Sequence, residues 1–189
     1  MLAVLLILVT LQNLVAAQKS SPSTISVPNG DRRGTWGPME VCDKGTLVRG
    51  FQLKVERSQG SGDDTSVNAI RLYCTSKTDT NIKAMISSTE GHWGDWTPVT
   101  WCPKGYPISF SLIVENPQGD GDDTAVNNVK MLCSDGKPIE ACGNPGGEYG
   151  VMSGRCSHGI CGVQTKVEKP QGEEDDTALN DVKFECCAA

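Results

Sequence analysis

The chain has 189 residues and a formal net charge of -6, with 21% of its residues charged. That acidic balance argues against nucleic acid and anionic membranes as partners, since both need a basic footprint. Nine cysteines in so short a chain point to disulfides, and therefore to an oxidising compartment.

The chain opens MLAVLLILVTLQNLVAAQ, an uncharged apolar run that closes on the small residues Val15, Ala16 and Ala17. Residues 1–17 read as a secretory signal, too short to span a membrane once Gln12 and Asn13 interrupt it. No later segment approaches the roughly 18 uninterrupted apolar residues of a membrane helix, so no membrane insertion is expected. Residues 18–30, QKSSPSTISVPNG, read as an extended lead-in, and residues 31–189 as one domain. There is no Asn-x-Ser/Thr sequon, so N-glycosylation is not expected.

The domain repeats itself. GDDTSVNAIRLYC at 62–74 recurs as GDDTAVNNVKMLC at 121–133 and EDDTALNDVKFEC at 174–186, giving repeats at about 34–74, 91–133 and 147–187. Each holds an alternating segment, GFQLKVE at 50–56, SFSLIVE at 109–115 and GVQTKVE at 162–168. Phe51, Leu53 and Val55 share one face, as do Phe110, Leu112 and Val114, and Val163, Thr165 and Val167. A period of two marks a half-buried strand. The segment after each Asp-Asp-Thr alternates in the same way, so every repeat is at least a hairpin. Its connection is Gly-x-x-Asp-Asp-Thr, at 60–65, 119–124 and 172–177. A third strand is expected before each hairpin, around GTWGPMEVC and GHWGDWTPVTWC, where aromatics cluster. Few stretches show helical spacing, so the fold class is all-β and antiparallel. Three like sheets can bury their apolar faces around a pseudo-threefold axis, which favours a triangular β-prism over a two-layer sandwich.

Repeat equivalence pairs Cys42 with Cys74, Cys102 with Cys133 and Cys156 with Cys186. Cys187 then takes Cys161, because neighbouring strand positions face opposite sides. Cys142 is left over, as an intermolecular bridge, a mixed disulfide or an unpaired bystander. His158 lies in CSHGIC, whose cysteines are assigned to bridges, so no zinc site is expected there. No metal or other cofactor is expected elsewhere.

The GTWG and GHWGDW starts, three copies of V-E-x-x-x-G-x-x-D-D-T-x-[VL]-N, the SVPNG lead-in and the CGVQTKVE-to-CC ending together resemble the vitelline membrane outer layer protein 1 family. The resemblance runs over about residues 25–187. It implies a β-prism of three Greek-key sheets and secretion. For egg-coat members it implies a place in the outer layer of the vitelline membrane beside basic secreted proteins such as lysozyme. A transferase-like action on N-acetylglucosamine oligosaccharides is associated with the family, without catalytic residues to carry over. Two departures stand out. Tyr149 takes the place read as that of Trp36 and Trp93, and Cys142 has no counterpart.

Glycoside chemistry needs two carboxyl groups, about 5 to 5.5 Å apart for retention and 6.5 to 9.5 Å for inversion. The candidate pairs are Glu56 with Asp63, Glu115 with Asp122, and Glu168 with Asp175, each spanning one hairpin connection. The same carboxylates read better as turn builders that accept backbone N–H bonds, since three identical copies point to architecture. They read less well as a cation site, since calcium wants more oxygen ligands than one short loop offers. Trp93, Trp96 and Trp101 are the carbohydrate-stacking candidates; Trp96 and Trp101 read as unrepeated, and the alternative is packing at the prism corners. Two function classes follow. One is a secreted structural or binding protein that associates with extracellular glycoproteins or glycans; the other is a weak glycan-active transferase.

Overall fold

The computed structural model describes residues 23–57, 65–115, 126–168 and 178–188, and shows strands, turns and loops with no helix among the described residues. In chain order the strands are β1 (Thr24–Ile25), β2 (Thr35–Trp36), β3 (Glu40–Val41), β4 (Thr46–Val55), β5 (Val67–Ser76), β6 (Ile82–Ile86) and β7 (Asp95–Trp96). They continue with β8 (Thr100–Trp101), β9 (Pro107–Val114), β10 (Val126–Cys133), β11 (Pro138–Glu140), β12 (Ile160–Val167) and β13 (Leu179–Cys186). The connections 60–64, 119–124 and 172–177, and the segment 1–22, lie outside the described residues.

Three antiparallel sheets form, each around one long hairpin: β12–β13, β4–β5 and β9–β10. Alternation explains the hairpins, because each strand carries a mainly apolar set on one face, broken in β12 by Thr165. Register shifts fall at matching places near both ends, between Lys54 and Val55, Val126 and Asn128, and Lys166 and Val167 at one end. Such bulges raise the twist, which lets a sheet curl toward its neighbours.

The second sheet runs β6-β5-β4-β7, with β8 also on β4, which is a Greek key because the fourth strand returns beside the first. The third sheet runs β11-β10-β9, and Tyr149 bridges Ile113 of β9 where a fourth strand belongs. The first sheet, β1-β13-β12-β2 with β3 on β12, is the same pattern cut open. Its hairpin comes from the end of the chain and its flanking strands from the beginning.

One expectation needs correction. The segment before each hairpin does not join that hairpin. Residues 35–41 pair with β12, 95–101 with β4, and Tyr149 with β9, so each lies on the sheet of the preceding hairpin. Sequence repeat and sheet are therefore offset, and three of the disulfides join one sheet to the next. Cys42 donates its N–H to Cys161 of the first sheet and is bonded to Cys74 of the second. Cys102 donates to Arg49 of the second and is bonded to Cys133 of the third; Cys156 donates to Ile108 of the third and is bonded to Cys186 of the first. These three bridges close a ring. The fourth, Cys161 to Cys187, lies within the first sheet.

The apolar faces meet inside the ring. Phe51, Phe110 and Phe184 are fully buried, and the rings of Phe110 and Phe184 meet edge to face with centroids 4.7 Å apart. Cross-strand partners show how the layer is filled: Phe51 faces Leu72, Phe110 faces Met131, and Val163 faces Phe184. Every sheet supplies one phenylalanine at this level, but the first sheet carries it on the other strand of its hairpin.

A polar exception repeats the economy. In the second sheet Thr97 Oγ1 accepts the Leu53 N–H at 3.1 Å. In the first sheet Gly37 stands at that position with no side chain, and Ser88 Oγ reaches over to accept the Thr165 N–H at 3.2 Å. Buried Thr165 donates its hydroxyl to the Thr89 carbonyl at 2.7 Å, so this hydroxyl inside the prism is satisfied.

Candidate binding groove

A groove of about 480 Å³ opens where the end of β4 meets β7, lined by Glu56, Arg57, Asp95, Trp96, Thr97 and Pro98 among others. Gly94 makes it possible. Its φ of +85° turns the chain hard against the backbone of Val55 and Glu56, where a Cβ would have no room. The turn delivers Asp95 opposite Val55 and Trp96 opposite Lys54.

Glu56 is held from behind. Its Oε2 accepts the Thr65 hydroxyl at 2.6 Å and the Thr65 N–H at 3.2 Å. Thr65 Oγ1 in turn accepts from Asn68 Nδ2 at 2.6 Å, and Asn68 Oδ1 accepts the Trp93 N–H at 3.1 Å. The Asn68 carbonyl takes the Gly91 N–H at 2.7 Å. Matching carbonyls do the same elsewhere, Asn127 for the N–H of Asn144 and Asn180 for that of Asp31. The Asn of the repeated motif is thus a hook for the incoming segment of the next repeat. Replacing Asn68 by Ala is expected to destabilise by about 1 to 3 kcal/mol, because it leaves the Trp93 N–H without its acceptor and takes one donor from the buried Thr65 hydroxyl. Chemical denaturation checks this; a change near zero would remove the hook.

Arg57 forms the other wall. Its guanidinium donates to the carbonyls of Cys142 at 2.9 Å and Gly143 at 2.8 Å and to Asn144 Oδ1 at 3.2 Å. Asn144 Nδ2 returns a bond to the Glu56 carbonyl at 2.7 Å. Cys142 itself is unbridged and exposed. The clamp that fixes its backbone is also the rim of the groove.

Trp96 is pinned on one face by the Arg71 guanidinium, 3.7 Å from the ring centre, and Arg71 is held by Glu90 at 3.3 Å. Lys183 sits over Trp36 at 4.0 Å and Lys130 over Tyr149 at 3.5 Å in the same way. Trp96, not Trp93, is therefore the counterpart of Trp36, and the reading of Trp96 as unrepeated is corrected. The clue lies in the spacing Gly-x-Trp-x5-Cys, shared by 34–42 and 94–102. Tyr149 keeps the cation pair in the third sheet. Burial, then the neighbouring Glu140 carboxylate, pushes its hydroxyl far above the ordinary tyrosine range, so it stays protonated.

Of the other sequence candidates, Trp101 lies flat over Gly50 and against Tyr73, with centroids 5.4 Å apart. Trp93 stands exposed at the far end of β4 from Trp101. Glu115 and Glu168 end β9 and β12 half-buried, as Glu56 ends β4. Asp63, Asp122 and Asp175 lie outside the described residues. The groove brings together Glu56 and Trp96, and adds Arg57 and Asp95. Arg57 is set by a loop some 86 residues away along the chain, a distance that adjacency to Glu56 does not reveal.

Comparison with known proteins gives a consistent result. The family model described as "Vitelline membrane outer layer protein I (VOMI)" matches residues 23–189. The mouse protein "Vitelline membrane outer layer protein 1 homolog" is 44% identical over 169 residues, covering 88% of this chain and 84% of its own. The human protein of the same name is 44% identical over 167 residues, covering 87% of this chain and 83% of its own.

Proposed function

The chain belongs to the vitelline membrane outer layer protein I family, and from that premise we propose that it is an extracellular coat or fluid component that holds the glycans of glycoproteins without acting on them. The observation that carries the reading is the groove at Trp96. An indole fixed by Arg71 offers a flat apolar edge, and Glu56 and Asp95 offer acceptors for sugar hydroxyls. Four disulfides fit an oxidising, extracellular setting. The net charge of -6 suits a basic secreted neighbour in the same layer.

The carboxylates favour binding over catalysis. One oxygen of Glu56 is committed to Thr65, so that group builds the hairpin end as well as lining the groove. Nothing in the groove favours the transferase reading.

Titration with chito-oligosaccharides and with released N-glycans, followed by tryptophan fluorescence, tests the proposal. A saturable change is expected, weakened about tenfold, or ~1.4 kcal/mol, in Trp96→Ala and less in Asp95→Asn. No response from the wild-type protein at millimolar sugar overturns glycan binding. Formation of a longer or shorter sugar during the titration overturns the non-catalytic reading.

A further inference from the structure

The outer face of the second sheet differs from those of its sisters. Phe51, Leu53 and Val55 of β4 point into the core, so Gly50, Gln52 and Lys54 turn to the outer face. Trp96 is the register partner of Lys54 and Trp101 of Gly50, and no register shift falls between those two positions. Register partners share a face, so both indoles stand on the outer side of this one sheet, about 13 Å apart along the strand.

The interval between them is filled. The Arg71 guanidinium covers one face of Trp96, and Arg71 is the register partner of Gln52. Gln52 Oε1 accepts the Tyr73 hydroxyl at 2.7 Å, and the Tyr73 ring meets that of Trp101. Indole, guanidinium, amide, phenol and indole follow one another along the sheet, each touching the next. Met85, the register partner of Tyr73, carries the row to the edge strand and is 57% exposed; Trp101 is 40% exposed.

The sister sheets lack this row. At the places of Tyr73 and Trp101 the first sheet has Glu185 and Val41 on either side of Gly162, and the third has Leu132 opposite Ser109. The cation over an aromatic ring repeats in all three sheets and belongs to the architecture. Trp101 does not repeat.

The make-up of the row selects a class of ligand. Flat apolar surfaces alternate with amide and guanidinium edges, which suits the faces and hydroxyls of sugar rings. The bordering cations are already engaged. Glu90 holds Arg71 at 3.3 Å, Asp79 holds Lys83 at 3.5 Å, and the Lys54 ammonium donates to the carbonyls of Gly91 and His92, each at 3.0 Å. With Glu56 and Asp95 at one end, the row suits a neutral chain and not an anionic one.

We propose that the groove at Trp96 is one end of a longer track, and that a neutral, unbranched oligosaccharide lies along the outer face of the second sheet from Glu56 and Asp95 to Trp101. The track rests on the glycan reading of the groove and adds a second subsite and a preference for length. Trp96 and its acceptors hold one sugar, Trp101 and Met85 hold another further along, and Arg71 and Gln52 lie beneath the sugars between. Both contacts sit on one rigid sheet and engage one ligand, so the second needs little further ordering.

Titration calorimetry with N-acetylglucosamine oligomers of increasing length tests this. Affinity is expected to rise about tenfold from the disaccharide to the hexasaccharide, and to be the same in low and high salt. Trp101→Ala is expected to abolish the rise and leave disaccharide affinity unchanged, whereas Trp96→Ala weakens both lengths. If Trp101→Ala fails to fold, Trp101→Leu keeps Gly50 covered while removing the ring, and carries the same comparison. Equal affinity at every length, a length dependence that survives loss of the Trp101 ring, or tighter and salt-sensitive binding of a heparin hexasaccharide would each overturn the track and leave the groove reading in place. Absence of binding at every length overturns the groove reading, and the track with it.

Discussion

Removing the bridge between Cys42 and Cys74 by changing both to alanine is expected to cost about 3 to 4 kcal/mol of stability in the chain-entropy model. The bridge closes a segment of 32 residues and joins the first sheet to the second. Its loss frees the ends of two sheets that no single hairpin connects, so the ring opens at one corner. Both sulfurs are buried, and alanine leaves their apolar surroundings intact. The expected reading is a lower denaturant midpoint, from which the free-energy change follows if the slope is unchanged. A loss below about 1 kcal/mol would mean that sheet packing alone closes the ring. A shallower slope would mean that the corner opens before the rest unfolds.

Phe184→Ala is expected to cost about 3 to 5 kcal/mol, the ordinary loss for an aromatic side chain removed from a fully packed core. Phe184 is fully buried and meets the ring of Phe110 edge to face, so the cavity would border two sheets. The more telling variant restores the order of the other repeats. Val163→Phe with Phe184→Leu moves the ring to the first strand, as in the pairs Phe51 with Leu72 and Phe110 with Met131. Because volume is nearly conserved, the double change is expected to cost less than about 1.5 kcal/mol. If it cost as much as Phe184→Ala, the core would be set by individual contacts and not by one large side chain per sheet. Thermal unfolding of the two variants beside the parent gives the answer.

Much of this architecture is legible without coordinates. The alternation in 50–56, 109–115 and 162–168 is a period that only a half-buried strand requires, and the threefold copy of Asp-Asp-Thr makes each hairpin the image of the others. The inward faces follow from the same period, and Phe51, Phe110, Val129 and Val182 are all buried. The binding groove is less legible. Glu56 and Trp96 are visible as residue types, but nothing local says that they meet. Their meeting depends on β7 pairing with the hairpin before it, and on Gly94 turning at a positive φ against Val55. The mistaken alignment of Trp93 with Trp36 has the same origin. In the sequence both follow a glycine-rich start; in space one lies under a cation on a sheet edge and the other points outward.

Strand faces, hairpins, the number of sheets and the family to which the chain belongs are all periodic or local properties that the residues carry on their own. These follow from patterns within a few residues, because side-chain alternation and turn chemistry are local. Which segment completes which sheet, and that three bridges run between sheets, emerge only in three dimensions. Those features join residues tens of positions apart through backbone pairing and packing, and identical local sequence is compatible with either partner. Gly50 and Gly162 illustrate the limit, because the residue laid across each, Trp101 or Val41, comes from an edge strand distant in the chain.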